Sequence, residues 1–161
     1  MYVDVGGGST EVNLLVKGEL VCSKSYNIGT VRMLNDAVDF GEWKRLEADM
    51  RTLSEIYSGT NIIGSGGNIN KLYRLAEKTD KKRQRISVIV LKSLYEKLKL
   101  LSFEERMQVF NLKPDRADVI VPASEIFLTI AEILHSEYIY VPVIGLADGI
   151  IDGLYAANRN R

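Results

Sequence analysis

Residues 4–11 read Asp4-Val5-Gly6-Gly7-Gly8-Ser9-Thr10-Glu11 and follow a short segment with the pattern of a strand. Three consecutive glycines let backbone amides converge on an anion with no side chain in the way. Residues 11–16 partly alternate between polar and apolar types, so a second strand is predicted after the glycines. The two familiar phosphate loops, Gly-x-Gly-x-x-Gly and the lysine-containing P-loop, lead instead into a helix. The glycines are therefore predicted to form a hairpin turn that can hold a phosphate.

Two carboxylates flank this turn, because Asp4 enters it and Glu11 leaves it seven residues later. Mg²⁺ binds one or two carboxylates together with waters and the phosphate oxygens of a substrate. The pair therefore predicts a divalent cation beside a bound phosphate. The plainer alternative is a tight hairpin whose glycines only supply positive φ.

A second glycine turn, Gly64-Ser65-Gly66-Gly67-Asn68, lies between a predicted strand and a predicted helix. Free amides and the helix dipole favour an anion at such a place, although a plain turn with Asn68 as the N-cap explains the same residues. Two turns at the carboxyl ends of strands could face one cleft. Arg32 could reach a phosphate or lie on the surface, and the basic run 81–85 is interpreted first as a solvated loop.

The remaining pattern predicts an α/β domain with a mixed sheet, in which three early antiparallel strands precede strand–helix units. A third strand is expected over residues 20–26, and a helix whose buried face carries Trp43, Leu46, Met50, Leu53 and Tyr57. Further predictions are a helix over 86–101, a capping box at Ser102 and Glu105, a buried helix over 118–136, a strand over 138–144, and a last helix to about residue 157.

Composition excludes several classes of protein. The chain has 161 residues, a net charge of zero, one Cys and one His. A single domain is expected, and an intrachain disulfide or a His/Cys metal cluster is not. The charge balance argues against a general nucleic-acid binder, and the longest apolar run is about half of a membrane span. A cytoplasmic setting with no membrane partner is expected.

The motifs resemble those of the Ppx/GppA phosphatases, the exopolyphosphatases and guanosine pentaphosphate phosphohydrolases. The resemblance rests on the hairpin 4–11, the turn 64–67, the run 116–122 (Arg-Ala-Asp-Val-Ile-Val-Pro) and the turn 145–149. It implies one lobe of the two-lobed actin-like and Hsp70 ATPase fold, with a ribonuclease H-like sheet. It also implies a hydrolase acting on the terminal phosphates of polyphosphate or of guanosine penta- or tetraphosphate.

The resemblance also assigns roles to residues of the two glycine turns. It implies that the substrate phosphate lies on Gly6, Gly7, Gly8, Ser9 and Thr10, and that Gly66 and Gly67 hold another part of the anion. Asp4 and Glu11 would place Mg²⁺. Two departures stand out: Asn68 occurs where the family commonly has Thr, and Ala147-Asp148 where it commonly has Arg-Glu.

The resemblance further implies that the other lobe, with the glutamate that activates water, would precede Met1. We therefore expect this chain, the second lobe over 1–161, to be inactive alone, and an isolated lobe to self-associate weakly, for instance as a homodimer. Two other hypotheses stay open. One is an ATP-binding lobe of another actin-like protein, and the other is a sensor that binds phosphorylated nucleotides without turnover.

Overall fold

A computed structural model of the chain describes residues 1–142. The predicted turn 145–149 and the last predicted helix lie outside the described residues. The strands are β1 (Tyr2–Val5), β2 (Thr10–Val16), β3 (Glu19–Tyr26), β4 (Ile62–Ser65), β5 (Arg85–Ser87) and β6 (Tyr138–Tyr140). The helices are α1 (Thr30–Leu34), α2 (Phe40–Ile56), α3 (Gly66–Leu75), α4 (Val88–Leu100), α5 (Phe103–Phe110), α6 (Pro114–Ala117) and α7 (Ile120–Ile133).

The strands form one mixed sheet in the order β3-β2-β1-β4-β6-β5. The first three strands pair antiparallel, as predicted, and β4 then pairs parallel with both β1 and β6. The edge strand β5 returns antiparallel to β6. Because β1 and β4 are parallel neighbours, the turns that follow them emerge side by side at the carboxyl edge of the sheet.

The helices pack on the sheet face that carries the fully buried Val3, Val12, Ile62 and Ile139. At the centre of this layer lies α7, which contacts α1, α2, α3, α4 and β1. Its sequence is apolar on nearly all sides because neighbours surround it, and Pro122 is accommodated in the first turn, where no helical amide is needed. The opposite sheet face carries Tyr2, Asp4, Glu11 and Leu15, which are at least partly exposed.

Most predicted elements are confirmed. The buried face of α2 includes Leu46, Met50 and Leu53, with Trp43 and Tyr57 packed against the core. The capping box at Ser102 and Glu105 is present. The helix expected over 86–101 begins only at Val88, because Arg85–Ser87 pairs with β6 as a strand. None of the helices in the described residues is long and apolar enough to cross a membrane.

The predicted capping role of Asn68 is wrong. Ser65 occupies the N-cap position of α3, and its side chain caps no amide. Asn68 is the third residue of the helix, within its first turn, and is buried. Its amide group is used elsewhere, in contacts that join the two glycine turns.

Candidate functional site

The first glycine turn is a hairpin whose tip consists of Gly7 and Gly8. Val5 pairs with Thr10, and the Gly6 amide donates to the Ser9 carbonyl at 2.9 Å. None of the three glycines has positive φ. The alternative of a tight hairpin whose glycines only supply positive φ is therefore wrong.

The carbonyls of this turn are bound from one side by the start of α1. Thr30 N donates to Gly6 O at 3.0 Å, Val31 N to Gly7 O at 2.9 Å, and Arg32 Nε to Gly8 O at 2.6 Å. In a trans peptide the N–H points opposite to the C=O. The amides of Gly7, Gly8 and Ser9 therefore point away from α1, towards a common side. Such an arrangement of consecutive amides forms an anion-binding concavity.

Glycine is needed at the turn because backbones approach closely. A Cβ on Gly29 would overlap the Gly7 carbonyl, and a Cβ on Gly7 would lie 3.2 Å from the Val31 side chain. At Gly8, by contrast, a Cβ would meet no described atom within 4 Å. The turn is thus packed closely on the α1 side, whereas Gly8 at its tip has open space beside its Cα.

Asp4 and Glu11 lie directly opposite each other on β1 and β2, on the open face of the sheet. Like charges at such a cross-strand position destabilise a sheet unless something compensates for them. Both line a cleft of about 560 Å³ together with Ser65. The Ser9 and Ser25 hydroxyls donate to Glu11 Oε1, at 2.5 and 3.2 Å.

This donor set fits a hard divalent cation. Two carboxylates in register provide the oxygen ligands that Mg²⁺ prefers. Within residues 1–142, no three His, Cys, Asp or Glu side chains group together as metal ligands. A cation at Asp4 and Glu11 would therefore complete its coordination with water and phosphate oxygens, which is the usual environment of Mg²⁺ in phosphate-processing sites.

The second glycine turn lies beside the first, since Ser65 of β4 is in register with Asp4 of β1. Gly66 has φ +89°, and a Cβ there would lie 2.6 Å from Asp4 Oδ1. Because Ser65 makes no side-chain cap, the first amides of α3 stay available, and the helix dipole favours an anion in front of them. The two turns therefore present amides at one edge of the sheet.

Asn68 joins the two turns to a third segment. Its Nδ2 donates to Val5 O at 2.8 Å, at the entry to the first turn, and its Oδ1 accepts from Arg116 Nη1 at 3.1 Å. The Arg116 guanidinium thereby lies over Gly67, where a Cβ would be 3.0 Å from Nη2. A cation is thus held at the amino end of α3.

The structure brings together most of the residues predicted for the site. Gly6, Gly7, Gly8, Ser9, Gly66, Gly67, Asp4 and Glu11 lie at the carboxyl ends of β1 and β4 or across from them. Thr10 departs from the expectation, because it is fully buried and its hydroxyl donates to Ile28 O at 2.7 Å. Its side chain fixes the hairpin to the segment before α1, so only the main chain of Thr10 adjoins the turn.

The sequence predicted no role for Arg116, although this residue begins the run 116–122. Its contact with Asn68 joins residues 48 positions apart, which a local pattern cannot reveal. For Arg32 the sequence allowed either a phosphate contact or a surface position. Its guanidinium is exposed, and it lies at the turn through Gly8 O.

Comparison with known proteins agrees with this geometry. A sequence model of the Ppx/GppA phosphatase family matches residues 1–157. The chain belongs to the Ppx/GppA phosphatase family. No curated protein sequence matches it.

Solved structures of Ppx/GppA members are similar to this chain. The type II variant of the Aquifex aeolicus Ppx/GppA phosphatase is 28% identical with a TM-score of 0.72, over 94% of this chain and 55% of that one. A second structure of the Aquifex aeolicus family member is 26% identical with a TM-score of 0.73, over 98% and 56%. An exopolyphosphatase from Cytophaga hutchinsonii, at 18% identity and a TM-score of 0.75 over 97% and 56%, shows the shared fold.

This Ppx/GppA chain therefore spans somewhat more than half the length of the solved structures that it matches. Its mixed sheet with helices is the α/β fold predicted from the sequence, and it corresponds to part of the actin-like ATPase fold of the family.

Proposed function

We propose that this chain is the phosphate- and cation-binding lobe of a phosphatase. The intact enzyme would hydrolyse the terminal phosphoanhydride bond of inorganic polyphosphate or of guanosine pentaphosphate. The observation that carries the proposal is the turn Gly7–Ser9, whose amides face one side because α1 and Arg32 bind its carbonyls. Family membership supports the reaction class.

Each part of the site has a role in this proposal. The amides of Gly7, Gly8 and Ser9 bind the oxygens of the phosphate under attack, where charge increases in the transition state. The first amides of α3, with Arg116, bind an adjacent phosphate and so hold the chain in line. Asp4 and Glu11 hold Mg²⁺, which when bound supplies positive charge to the phosphate oxygens.

The described site contains no further carboxylate that could act as a base for water once Asp4 and Glu11 bind the cation. We infer that the base comes from the other lobe of the family's fold. The two lobes then have different roles, since the present chain binds and orients the substrate while its partner lobe supplies the proton acceptor.

The decisive test measures phosphate release by the full-length protein with Mg²⁺, with long-chain polyphosphate, guanosine pentaphosphate and ATP supplied in parallel. Turnover of either of the first two supports the proposal and identifies the substrate. Turnover of ATP alone would favour an ATPase or kinase of the same fold. Binding without turnover would favour a sensor.

Replacing Asp4 by Asn tests the cation assignment. Loss of a metal ligand removes several kcal/mol of transition-state stabilisation, so we expect kcat to fall about a hundredfold or more. Asp36→Asn is the matched control, since Asp36 is exposed and follows α1. Equal turnover by Asp4→Asn and the control would reject a role for Asp4.

A further inference from the structure

A second cleft, of about 780 Å³, lies at the opposite end of the sheet from the glycine turns. From Gly66, α3 runs about 15 Å, at 1.5 Å per residue, to Leu75. The cleft lies near the carboxyl end of α3. It is lined by residues of α3, of the loop after α3, of α4 and of β5, and by the first residue of β6. Its charged lining residues are Arg74, Glu77, Lys78, Asp80, Lys81 and Arg85.

Both carboxylates of this cleft are already paired. Glu77 accepts from Lys97 Nζ at 2.8 Å, and Asp80 accepts from Arg85 Nε at 3.0 Å. The remaining cations are Arg74, Lys78 and Lys81, and the described residues offer none of them an ion pair. In a chain of zero net charge, three uncompensated cations around one concavity attract an anion.

Arg85 is held in place before any ligand binds. Its guanidinium lies 3.7 Å from the centroid of the Tyr138 ring, and its side chain is only 14% exposed. Stacking on the ring and the pair with Asp80 fix its orientation. A donor that is already fixed loses little conformational entropy on binding.

We propose that this cleft binds an oligophosphate, either an inorganic chain or the phosphates of a nucleotide. Arg74, Lys78 and Lys81 would contact the phosphates, with Arg85 as the fixed floor of the site. The volume is that of a small-molecule site, and the surface is concave. Both properties favour a compact anion over a macromolecule.

The proposal is tested by calorimetric titration of the chain with inorganic tripolyphosphate in the absence of Mg²⁺. The double variant Lys78→Ala/Lys81→Ala should bind about tenfold more weakly at the cleft, because it loses two charge-assisted contacts. The matched control is Lys82→Ala/Arg83→Ala, which removes the same charge from exposed positions of the same loop outside the cleft. The control should change the affinity less than about twofold.

The variant Gly8→Asp distinguishes tripolyphosphate binding at this cleft from binding at the glycine turns. It adds a carboxylate to the first turn, where a Cβ has open space, and it should leave tripolyphosphate binding at the cleft intact. If Gly8→Asp abolishes all binding, the cleft does not bind oligophosphate and the glycine turn does. If both double variants weaken binding equally, the effect is general charge and the cleft proposal is wrong.

Titration with GTP, at the same number of phosphates, distinguishes the two sources of the anion. Equal affinity for GTP and tripolyphosphate assigns the cleft to phosphates alone. Tighter binding of GTP that also depends on Lys78 and Lys81 assigns it to a nucleotide. If these titrations detect no binding at the cleft, the proposed phosphatase activity is not contradicted. That activity depends on the glycine turns at the other end of the sheet and is tested by phosphate release.

Discussion

Gly29 packs against the backbone of the first glycine turn at a distance that excludes any side chain. The contact lets the start of α1 reach the turn carbonyls, and three hydrogen bonds follow from it. Nothing in the pair Gly29-Thr30 alone indicates this role, since a glycine before a helix is common. The partner backbone lies more than twenty residues earlier in the chain.

Replacement of Gly29 by Ala should lower the free energy of unfolding by about 2–3 kcal/mol, because the new methyl overlaps the Gly7 carbonyl. Gly8→Ala is the matched control, since its Cβ has open space. We expect the control to change stability by less than about 0.5 kcal/mol. Urea unfolding of both variants measures the difference. Equal stability of the two would show that the turn can move away from α1 at no cost.

Asn68, like Gly29, holds parts of the site together, because its side chain binds both Val5 and Arg116. Asn68→Ala leaves the buried Val5 carbonyl without its donor and releases Arg116, so unfolding free energy should fall by about 2 kcal/mol. Asn70→Ala, in the same helix, is the control, because the Asn70 side chain makes no hydrogen bond among the described residues. Urea denaturation of both is the measurement. A loss of equal size in both variants would assign the cost to the helix and not to the contacts.

Among elements, β3 and α2 are joined by a charged cluster. Asp49 of α2 accepts from Lys24 at 2.6 Å and from the Tyr26 hydroxyl at 2.9 Å. Burial alone would raise the pKa of Asp49, but the Lys24 and Tyr26 hydrogen bonds hold it below its ordinary value. Burial, followed by the bond to Asp49, raises the pKa of Tyr26. Ionised Asp49 therefore stabilises the packing of α2 on the hairpin.

The sign of the pH dependence follows from the lowered pKa of Asp49. Its contribution is present above the pKa of an unfolded aspartate and is lost as the pH falls through the folded-state value. Asp49→Asn should cost about 1 kcal/mol at pH 7, and the difference from the unaltered chain should shrink below about pH 4. Urea unfolding at both pH values measures it. Glu55→Gln, exposed on the same helix, should show no such change, and a gap independent of pH would contradict the ion pair.

Helices and strands could be predicted where residues close together in the sequence determine them. The three-four spacing of apolar residues predicted α2, and the Ser102–Glu105 pair predicted the start of α5. The strand β5 was missed because the sequence analysis placed Arg85 in the basic run 81–85 and residues 86–87 at the start of a helix. Only the pairing of these residues with β6 makes them a strand. Asn68 was misplaced for a related reason: the sequence shows a capping residue type, but the helix begins two residues earlier.

At the scale of the molecule, the proposal assigns binding and proton transfer to different lobes. The glycine turns and their acids could be predicted from eight consecutive residues and a second short motif. The role of Arg116 could not be predicted, because its side chain lies beside Gly67 only in the folded domain. Residues that a sequence motif brings together were thus predicted, and those that only tertiary packing brings together were not.

The division between lobes predicts that the chain alone releases phosphate from polyphosphate with Mg²⁺ about a thousandfold more slowly than the full-length protein. A positioned general base contributes about two to four orders of magnitude, and the described site has none to spare. A colorimetric phosphate assay compares the two proteins. Binding of tripolyphosphate by the same sample controls for folding. Turnover of the isolated chain at the rate of the full-length protein would place the base within this lobe.

The hydrogen bonds from α1 to the turn carbonyls affect how fast an anion can bind. Since Gly6, Gly7 and Gly8 are fixed by hydrogen bonds to their carbonyls, the opposite amides are oriented before a phosphate arrives. An arriving anion would then exchange water for amides without waiting for a loop to rearrange. Diffusional encounter of the anion with the turn would then limit its rate of binding.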